Sequence, residues 1–374
     1  MSLAGKLRTM VIATVAVMIA SIAVLSTAPG ARATEAPAAS EAAFLTVSGR
    51  VLGVAATSAA NAWAVGYTGY LANGDAQMLI AHWNGRRWSL IPDLPFGQIT
   101  QITVDAPDDA WAIAQADAGG PFLIHWNGRT WSQDTTVPPV VAYLTAVVAV
   151  DGQVWATGSS YPGKGGASDG VMLHRVHGRW YVVPVPGTTS NLDSFAAISP
   201  TNIWAGGGLL MHWNGAEWKL ASLPKSIGPV FIGGMATGPH GTAWAGASGV
   251  SDADDSFSLH WTGKVWTKVP FPRPSGESNG YGGIAPIPGG TDWIVGTSLN
   301  GNGSKAVALI LHWTGKAWQP VKTPATTFGN VELADVAATS PDNAWAVGVG
   351  TCIQEHCGVQ DTFILHWNGK AWAY

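Results

Sequence analysis

The stretch from His366 to Trp372 reads His-Trp-Asn-Gly-Lys-Ala-Trp, and its pattern, His-Trp-Asn/Thr-Gly-x-x-Trp, recurs along the chain. A second tryptophan motif, Ala-Trp-Ala-Val-Gly or a close variant, precedes each copy. All 20 tryptophans of the chain belong to these two motifs. The final tryptophans of successive copies are 38 to 54 residues apart. A unit of about 40–50 residues that recurs seven times predicts a repeat architecture. The seven copies begin at His82, His125, His174, His212, His260, His312 and His366, and in the third copy Arg175 replaces the first tryptophan.

Each repeat divides into four predicted strands, which we call a to d. In the last repeat, strand a is 333–339, strand b surrounds Trp345, strand c is 363–367 and strand d contains Trp372. The Asn-Gly pair at 368–369 predicts a tight hairpin between c and d, because both central positions of such a turn favour positive φ. Four short antiparallel strands per unit, repeated seven times, indicate an all-β, seven-bladed β-propeller.

Closure of the ring requires that the last blade join the first. The chain ends at Tyr374, two residues after Trp372, so the last strand d is short. Residues 43–48, Ala-Phe-Leu-Thr-Val-Ser, precede the first repeat and have strand character. We therefore expect 43–48 to pair with the last blade.

The N-terminus predicts a secretory signal peptide. Lys6 and Arg8 precede an apolar run from Met10 to Leu25, and Ala31-Arg32-Ala33 is a small-x-small cleavage site. The predicted organisation is a signal peptide at 1–33, cleaved after Ala33, a flexible lead-in at 34–42 and the propeller at 43–374. The apolar run is shorter than the ~20 residues of a spanning helix. A secreted protein is therefore expected, with an N-terminal membrane anchor facing outside as the alternative.

Composition limits the function classes. Charged residues make up 11% of the 374 residues, against about 25% in typical globular domains, which excludes a long coiled coil or a highly charged disordered chain. The formal net charge of −4 suggests no nucleic-acid partner. Cys352 and Cys357 are the two cysteines and lie in one loop, so in an exported protein we expect them to form a disulfide.

Strand direction defines two faces of the predicted propeller. The b–c and d–a loops share one face, the loop face, and the a–b and c–d turns share the other, the turn face. From the repeat histidine to the final tryptophan the offset is always six residues, whereas the strand-b tryptophan lies between 8 residues (Trp204 to His212) and 21 residues (Trp345 to His366) before the histidine. Because binding residues usually lie in variable loops, we expect the ligand or partner on the loop face.

Two groups of residues are candidates for binding there. Tyr67, Tyr70 and Tyr161 lie in b–c loops and could stack on sugars. Asp193 and Asp335 stand at the start of innermost strands, with Gln101 at a comparable position, and could hold a cation or polar ligand at the mouth of the central channel. The alternatives are solvated loop residues for the tyrosines and ordinary channel polarity for the others.

The seven repeat histidines invite a metal hypothesis that the geometry of a propeller opposes. Strand c lies two strand spacings, roughly 9–10 Å, outside the innermost strand, so these histidines cannot converge on one ion whose ligands lie at about 2 Å. We expect each imidazole to make a structural hydrogen bond in its blade. The sequence thus predicts no metal, no cofactor and no identifiable catalytic residue.

The motifs Ala-Trp-Ala-Val-Gly and His-Trp-Asn-Gly-x-x-Trp resemble those of secreted bacterial β-propeller repeat proteins, broadly of the kelch and galactose-oxidase-like kind, over about residues 43–374. Galactose oxidase's Tyr/Cys/His copper site has no counterpart, because the close pair Cys352 and Cys357 supplies the only cysteines.

The function expected from this reading is an exported, monomeric, non-catalytic binding or scaffold module that uses the loop face. The alternatives are a glycan-binding lectin and an enzyme that acts on polysaccharide at the channel mouth. The expected partner is a protein or a glycan. Basic residues in or beside the c–d hairpins raise the further hypothesis of attachment to an anionic cell envelope. They are Arg86, Arg87, Arg129, Arg175, Arg179, Lys264, Lys316 and Lys370.

Overall fold

A computed structural model describes residues 47–69, 76–95, 97–116, 120–160, 169–186, 192–249, 256–272, 278–287, 292–299, 305–352 and 360–374. The predicted signal peptide, the lead-in, Tyr70, Tyr161, Cys357 and the side chain of Cys352 lie outside this description. The cleavage site, the disulfide and two of the three candidate tyrosines therefore stay predictions.

Seven four-stranded antiparallel sheets form the blades, and each sheet consists of four strands consecutive in sequence. Blades 1 to 4 comprise β1 (Gly49–Ser58), β2 (Asn61–Thr68), β3 (Gln77–Trp83) and β4 (Trp88–Leu90); β5 (Gly97–Ala106), β6 (Asp109–Ala116), β7 (Pro121–Trp126) and β8 (Trp131–Gln133); β9 (Val141–Val150), β10 (Gln153–Ser160), β11 (Gly170–Val176) and β12 (Arg179–Val183); and β13 (Leu192–Ser199), β14 (Asn202–Gly207), β15 (Leu210–Trp213) and β16 (Trp218–Leu220). Blades 5 to 7 comprise β17 (Val230–Thr237), β18 (Ala243–Gly249), β19 (Ser256–Trp261) and β20 (Trp266–Pro270); β21 (Ser278–Ala285), β22 (Trp293–Leu299), β23 (Ala306–Trp313) and β24 (Trp318–Pro320); and β25 (Phe328–Ser340), β26 (Asn343–Cys352), β27 (Gln360–Trp367) and β28 (Trp372–Ala373).

The blades close into a ring. The first strand of each blade contacts the first strand of the next, from β1 through β5, β9, β13, β17, β21 and β25, and β25 contacts β1. This arrangement confirms the predicted seven-bladed β-propeller. Within the described ranges, no helix has the length and apolar character that crossing a bilayer requires.

Residues just before the first repeat fasten the last blade. The backbone N–H of Thr362 donates to the carbonyl of Val47 at 3.0 Å, and Ser48 forms an antiparallel bridge with Asp361 in β27. These contacts lie beyond the reach of the two-residue strand β28. The described part of the predicted closing segment 43–48 thus pairs with the last blade, while 43–46 lie outside the described residues.

Each strand-b tryptophan is enclosed by rings from its own blade and from the next. Trp345 stacks on His366 of its own blade at 4.0 Å between ring centroids. It also contacts Trp83 at 4.8 Å and Trp88 at 5.2 Å, both from blade 1. Tilted and edge-to-face contacts of this kind are favourable beyond the area they bury. The same set of an own-blade histidine and two tryptophans of the next blade surrounds Trp63, Trp155, Trp204, Trp244 and Trp293.

The degenerate third repeat replaces one of these ring contacts with a charge. The guanidinium of Arg175 lies 4.8 Å from the centre of the Trp111 ring, which is a cation–π geometry. Arg175 Nε also lies 3.4 Å from Asp134 Oδ2, and Trp180 Nε1 donates to the same oxygen at 3.0 Å. An ion pair and a cation–π contact thus occupy the position of the missing tryptophan.

The innermost strand of every blade contains a β-bulge at the same place, which the sequence did not reveal. In β1 the pairing with β2 shifts between Val51 and Gly53 and leaves Leu52 unpaired. A bulge inserts one residue and reverses the alternation of side chains beyond it. The unpaired residues are Leu52, Thr100, Thr145, Asp193, Gly233, Gly282 with Gly283, and Ala334.

The turn face is less uniform than the sequence spacing suggested. Five a–b connections contain two residues, as between Ser58 and Asn61. In blade 5 the connection from Thr237 to Ala243 is longer and contains a turn of 3-10 helix at Pro239–Gly241. This turn is closed by a hydrogen bond from Thr242 N to Pro239 O at 3.1 Å. Blade 6 also has a longer connection, of which 288–291 lie outside the described residues.

Candidate functional site

The loop-face end of the inner strands brings six equivalent described residues around the channel mouth. Each lies two residues before the bulge and pairs with the residue four after the strand-b tryptophan, as Arg50 pairs with Tyr67 and Tyr143 with Ser159. In blade 4 the residue two before the bulge is Asn191, which lies outside the described ranges. We call the six described residues the mouth ring: Arg50, Gln98, Tyr143, Phe231, Gly280 and Glu332.

The mouth ring combines aromatic and polar side chains that water can reach. Tyr143 is 60% exposed, Phe231 is half-buried and Glu332 is exposed. The residues that follow them, such as Val51 and Leu333, are buried between blades at 0% and 4% exposure. A rigid inner strand therefore presents each mouth-ring side chain from a fixed base. Aromatic faces for stacking beside hydrogen-bonding groups suit a ligand that has both apolar and polar surfaces.

An ion pair crosses the seam between the last and first blades at this mouth. Arg50 Nη2 lies 2.7 Å from Glu332 Oε2, and their side chains are 30% and 52% exposed. Tyr67 lies beneath Arg50, and its burial raises the pKa of its hydroxyl while the charge of Arg50 partly opposes this. The Nε of Arg50 has no hydrogen-bond partner in the described part of the chain. Because a partly exposed pair of this kind stabilises a fold only weakly, both groups can turn to a ligand at small cost.

The predicted residues of the channel lie in three separate blades. Gln101 is 1% exposed and its Oε1 accepts the N–H of Val147 in blade 3 at 2.6 Å. Asp335 is 0% exposed, and its Oδ2 accepts the N–H of Val54 in blade 1 at 2.9 Å. The structure thus places both side chains in seams between blades, one residue after the bulges. Tyr67 is 6% exposed, so its ring lies under Arg50 and is not an open stacking surface.

Asp193 occupies a different position, because it is the bulged residue of its strand. It is half-buried between the buried neighbours Leu192 and Ser194, and this burial raises the pKa of its carboxyl. No hydrogen bond or ion pair to Asp193 occurs within the described residues. Next to it, Thr145 Oγ1 donates to the carbonyl of Leu192 at 2.6 Å. The structure does not bring Asp193 together with Gln101 or Asp335, which belong to blades 2 and 7.

Five of the seven repeat histidines form a side-chain hydrogen bond within their own blades, whereas no such bond occurs for His260 and His312 among the described residues. His366 Nε2 lies 2.8 Å from Asn343 Oδ1, and the amide nitrogen of Asn343 donates to Thr339 Oγ1 at 2.7 Å. Since the amide nitrogen is engaged by the threonine, the oxygen faces the imidazole and Nε2 carries the proton. Equivalent contacts fix His82, His125, His174 and His212. Among the described residues, no three histidine, cysteine, aspartate or glutamate side chains are placed to hold a metal ion.

Burial keeps most of these imidazoles neutral. It lowers the pKa of His174 and of His366 to about 4. Burial also lowers the pKa values of His82, His212, His260 and His312. Burial against tryptophan costs a neutral imidazole little hydration free energy, whereas it costs a charged imidazolium much more. The seven-fold pattern of histidine and tryptophan therefore belongs to the scaffold rather than to the mouth.

Most of the mouth ring was missed by the analysis of the sequence. Tyr143, Arg50 and Glu332 are single residues in strands that otherwise match the repeat. The bulge that follows each of them in the structure is not marked in the sequence, so alignment on the strand-b tryptophans alone does not select them. The bulge also displaced the expected channel positions by one residue.

Two solved structures with TM-scores above 0.5 support the fold. A structure of YCF48 bound to a D1 peptide has a TM-score of 0.52 and 15% identity, and the match covers 86% of this chain and 95% of that chain. A polysaccharide lyase of family PL25, an ulvan lyase bound to -[GlcA(1-4)Rha3S]-, has a TM-score of 0.51 and 11% identity and covers 87% of this chain and 96% of its own. The lectin of Aleuria aurantia is similar at a TM-score of 0.49 and 13% identity, over 75% of this chain and 97% of the lectin. No protein-family model matches the sequence, and no curated protein matches it.

The fold and the mouth ring define a class. The chain is a seven-bladed β-propeller with a chemically mixed ring of side chains at the loop-face end of its channel. Because the matched structures are so low in sequence identity, they show the fold alone and not the ligand or activity. The function is therefore argued from the site itself.

Proposed function

We propose that this chain is an exported, non-catalytic β-propeller that binds a protein or glycan partner at the mouth ring of its loop face. One observation carries this proposal. The positions that hold the fold are nearly the same in every blade, whereas the mouth-ring positions hold a cation, an amide, a phenol, a phenyl ring, a glycine and a carboxylate. A scaffold alone gives no reason for a different chemical group at each equivalent place, but an asymmetric ligand does.

The loops around the mouth support the same face. The b–c connection contains only Gly208 and Leu209 in blade 4, whereas it runs over 161–169 in blade 3. By contrast, the c–d connections contain four residues in six blades, as at 84–87. The c–d turns are thus nearly constant while the b–c loops vary from blade to blade, although the a–b connections of blades 5 and 6 are also long. Variable loops on a constant frame are typical of a binding surface.

The class of partner is narrowed by the chemistry of the ring. The exposed Tyr143 of blade 3 can stack on the C–H face of a sugar or on a peptide side chain, while polar groups elsewhere in the mouth ring fix the orientation. Both classes of ligand occur in structures of similar fold, since one is bound to a D1 peptide and the other to -[GlcA(1-4)Rha3S]-. A lectin is the second candidate, and the 60% exposure of Tyr143 favours it.

An enzyme acting on polysaccharide is less well supported. Asp193 has the raised pKa that an acid catalyst needs. Glycoside hydrolysis commonly requires a second carboxylate within about 10 Å, and Asp335 is buried in the seam between blades 7 and 1.

For export, we infer that the signal peptide is removed after Ala33, with a membrane anchor as the alternative. The protein used in the experiments is therefore residues 34–374.

Tyr143→Ala is expected to weaken partner binding at least about tenfold, because exposed tyrosines at the centre of a site often carry much of the binding energy. The partner is first found by screening the mature protein against a glycan array and a peptide library, and affinity is then measured by calorimetry. Tyr181→Ala is the matched control, since Tyr181 is 50% exposed on the outer strand of the same blade. Equal affinity of the Tyr143 and Tyr181 variants would overturn the assignment of the mouth ring.

A further inference from the structure

The c–d hairpins place a basic residue at one repeated position on the turn face. The residue that follows the hairpin glycine is Arg or Lys in six blades and Ala216 in blade 4. Every one of these basic side chains is exposed. They are Arg86, Arg129, Arg179, Lys264, Lys316 and Lys370.

Acidic neighbours divide this ring into two sectors. In blades 2 and 3 the a–b turns carry Asp108 and Asp151, flanked by Asp105 and Asp109 at the adjoining strand ends, and the hairpin of blade 4 carries Glu217. These acids share the turn face with Arg129 and Arg179.

In the other sector, blades 5, 6, 7 and 1, few exposed acidic residues balance the charge of the basic side chains. Asp342 is the one exposed acid in its described turns. Asp292 of blade 6 is 5% exposed, and it accepts the N–H of Ile287 at 2.9 Å and Trp244 Nε1 at 2.8 Å. We call the cations of this sector the basic arc: Lys264, Lys316, Lys370, Arg86 and Arg87.

The basic arc spans four consecutive blades, and its cations form no ion pairs among the described residues. Its blades are neighbours, because β17 contacts β21, β21 contacts β25 and β25 contacts β1. Five exposed cations from four adjacent blades thus lie along one rim of the turn face.

We propose that the basic arc docks this protein on a flexible phosphodiester polymer of the cell envelope, such as poly(glycerol phosphate). A single exposed cation gains little from one anion, so a useful affinity requires several contacts that one chain makes together. Arg86 and Arg87 are consecutive and exposed, and a guanidinium group suits the planar, two-point recognition of phosphate oxygens. A polymer with one charge on every unit can follow the arc from blade to blade.

Other anionic partners fit the arc less well. A bilayer surface is usually engaged by apolar side chains beside the cations, and in the described hairpins of the arc Val265 is the one large exposed apolar residue. The protein as a whole is negative, at −4 for the full chain, so a duplex or a broad anionic surface would meet repulsion outside the arc. Docking through the turn face also leaves the mouth ring pointing away from the polymer.

The test compares two triple variants with the same charge change. Lys264→Gln/Lys316→Gln/Lys370→Gln removes the lysines of the arc, and Lys225→Gln/Lys305→Gln/Lys322→Gln removes three exposed lysines of the loop face. Binding of residues 34–374 to immobilised poly(glycerol phosphate) is measured at about 50 mM and about 500 mM salt. We expect the arc variant to bind about tenfold or more weakly at low salt, the loop-face variant to stay within about twofold, and high salt to weaken binding by the unaltered protein.

Three results would overturn the proposal: no binding by the unaltered protein at low salt, equal loss in both triple variants, or stronger binding to vesicles of anionic phospholipid than to the polymer. Unchanged circular dichroism and unfolding midpoints show that each variant is folded. The Tyr143→Ala variant should keep its affinity for the polymer, so failure of this proposal can be told from failure of the mouth-ring proposal.

Discussion

Replacing Trp345 with alanine is expected to lower the free energy of unfolding by about 3–5 kcal/mol, the range for deletion of a large buried aromatic side chain. Trp345 is 1% exposed and lies against Trp83 and Trp88 at 4.8 and 5.2 Å. These contacts join the last blade to the first, and the cavity left by the alanine opens at that seam. Guanidinium unfolding followed by far-ultraviolet circular dichroism measures the change.

The third repeat provides a graded comparison for this prediction. Trp111 contacts Trp180 at 6.1 Å and the guanidinium of Arg175 at 4.8 Å, so it has one tryptophan neighbour from the next blade instead of two. We expect Trp111→Ala to cost about 1 kcal/mol less than Trp345→Ala, in line with the value of one aromatic pair. Val182→Ala, at a position that is 52% exposed, should change stability by less than about 0.5 kcal/mol. A loss at Trp345 no larger than that of Val182→Ala would contradict the enclosed-tryptophan description of the seams.

Acidification is expected to destabilise the protein between about pH 6.5 and pH 4. Burial lowers the pKa values of six repeat histidines, to about 4 for His174 and His366, from about 6.5 in an unfolded chain. Each of these groups stabilises the fold fully above the unfolded pKa and loses that contribution as pH falls toward the folded pKa, because the unfolded state then binds more protons.

Aspartates oppose part of this effect. Burial raises the pKa of Asp292 to about 6 and also raises the pKa values of Asp105 and Asp193. Asp292 therefore binds its proton in the folded state within this window and offsets some of the histidines, and the raised pKa values of Asp105 and Asp193 act in the same direction. Since the imidazoles remain partly exposed, we expect a net loss on the order of 3 kcal/mol from pH 7 to pH 4.5.

Denaturant midpoints at several pH values measure this loss. His366→Gln keeps an N–H donor that can reach Asn343 Oδ1 but removes the titration, so its stability should depend less on pH than that of the unaltered protein. A flat profile between pH 7 and pH 4.5, or a steeper one in the His366→Gln variant, would be inconsistent with buried neutral histidines.

The repeat made the architecture readable from the sequence. Tryptophan and histidine recur because each seam requires the same enclosed ring. The Asn-Gly hairpins require a positive φ at the glycine, as at Gly369 (φ 84°), but the predicted positive φ at the asparagine does not occur because these turns contain four residues. These are local demands that every blade must satisfy, so a period in sequence becomes a period in structure. Blade number, strand order and the two faces followed from them.

The orientation of side chains in the inner strands was harder to predict from the sequence, because two effects determine it. These side chains pack against blades on both sides, and the bulge shifts the alternation at residues such as Leu52 and Ala334. Gln101 and Asp335 therefore lie in seams, where they accept N–H groups of the next blade. No local sequence signal marks a bulge among small and β-branched residues. The sequence therefore does not predict that Tyr143 lies at the mouth of the channel.

The two proposals together describe a module with two working ends. The turn face carries the basic arc, and the loop face carries the mouth ring at the opposite end of the inner strands. A protein held on an envelope polymer by one end would present the other to its partner. Each end can be disabled separately, since the lysines of the arc and Tyr143 share no contact or blade.

Hydrogen–deuterium exchange of residues 34–374, with and without the partner found in the glycan or peptide screen, tests the binding site most directly. If the mouth ring is the site, protection on binding will concentrate at the loop-face ends of β1, β9, β17 and β25, while the c–d hairpins stay unchanged. Protection confined to the hairpins or to the outer strands, with those four strand ends unaffected, would contradict it.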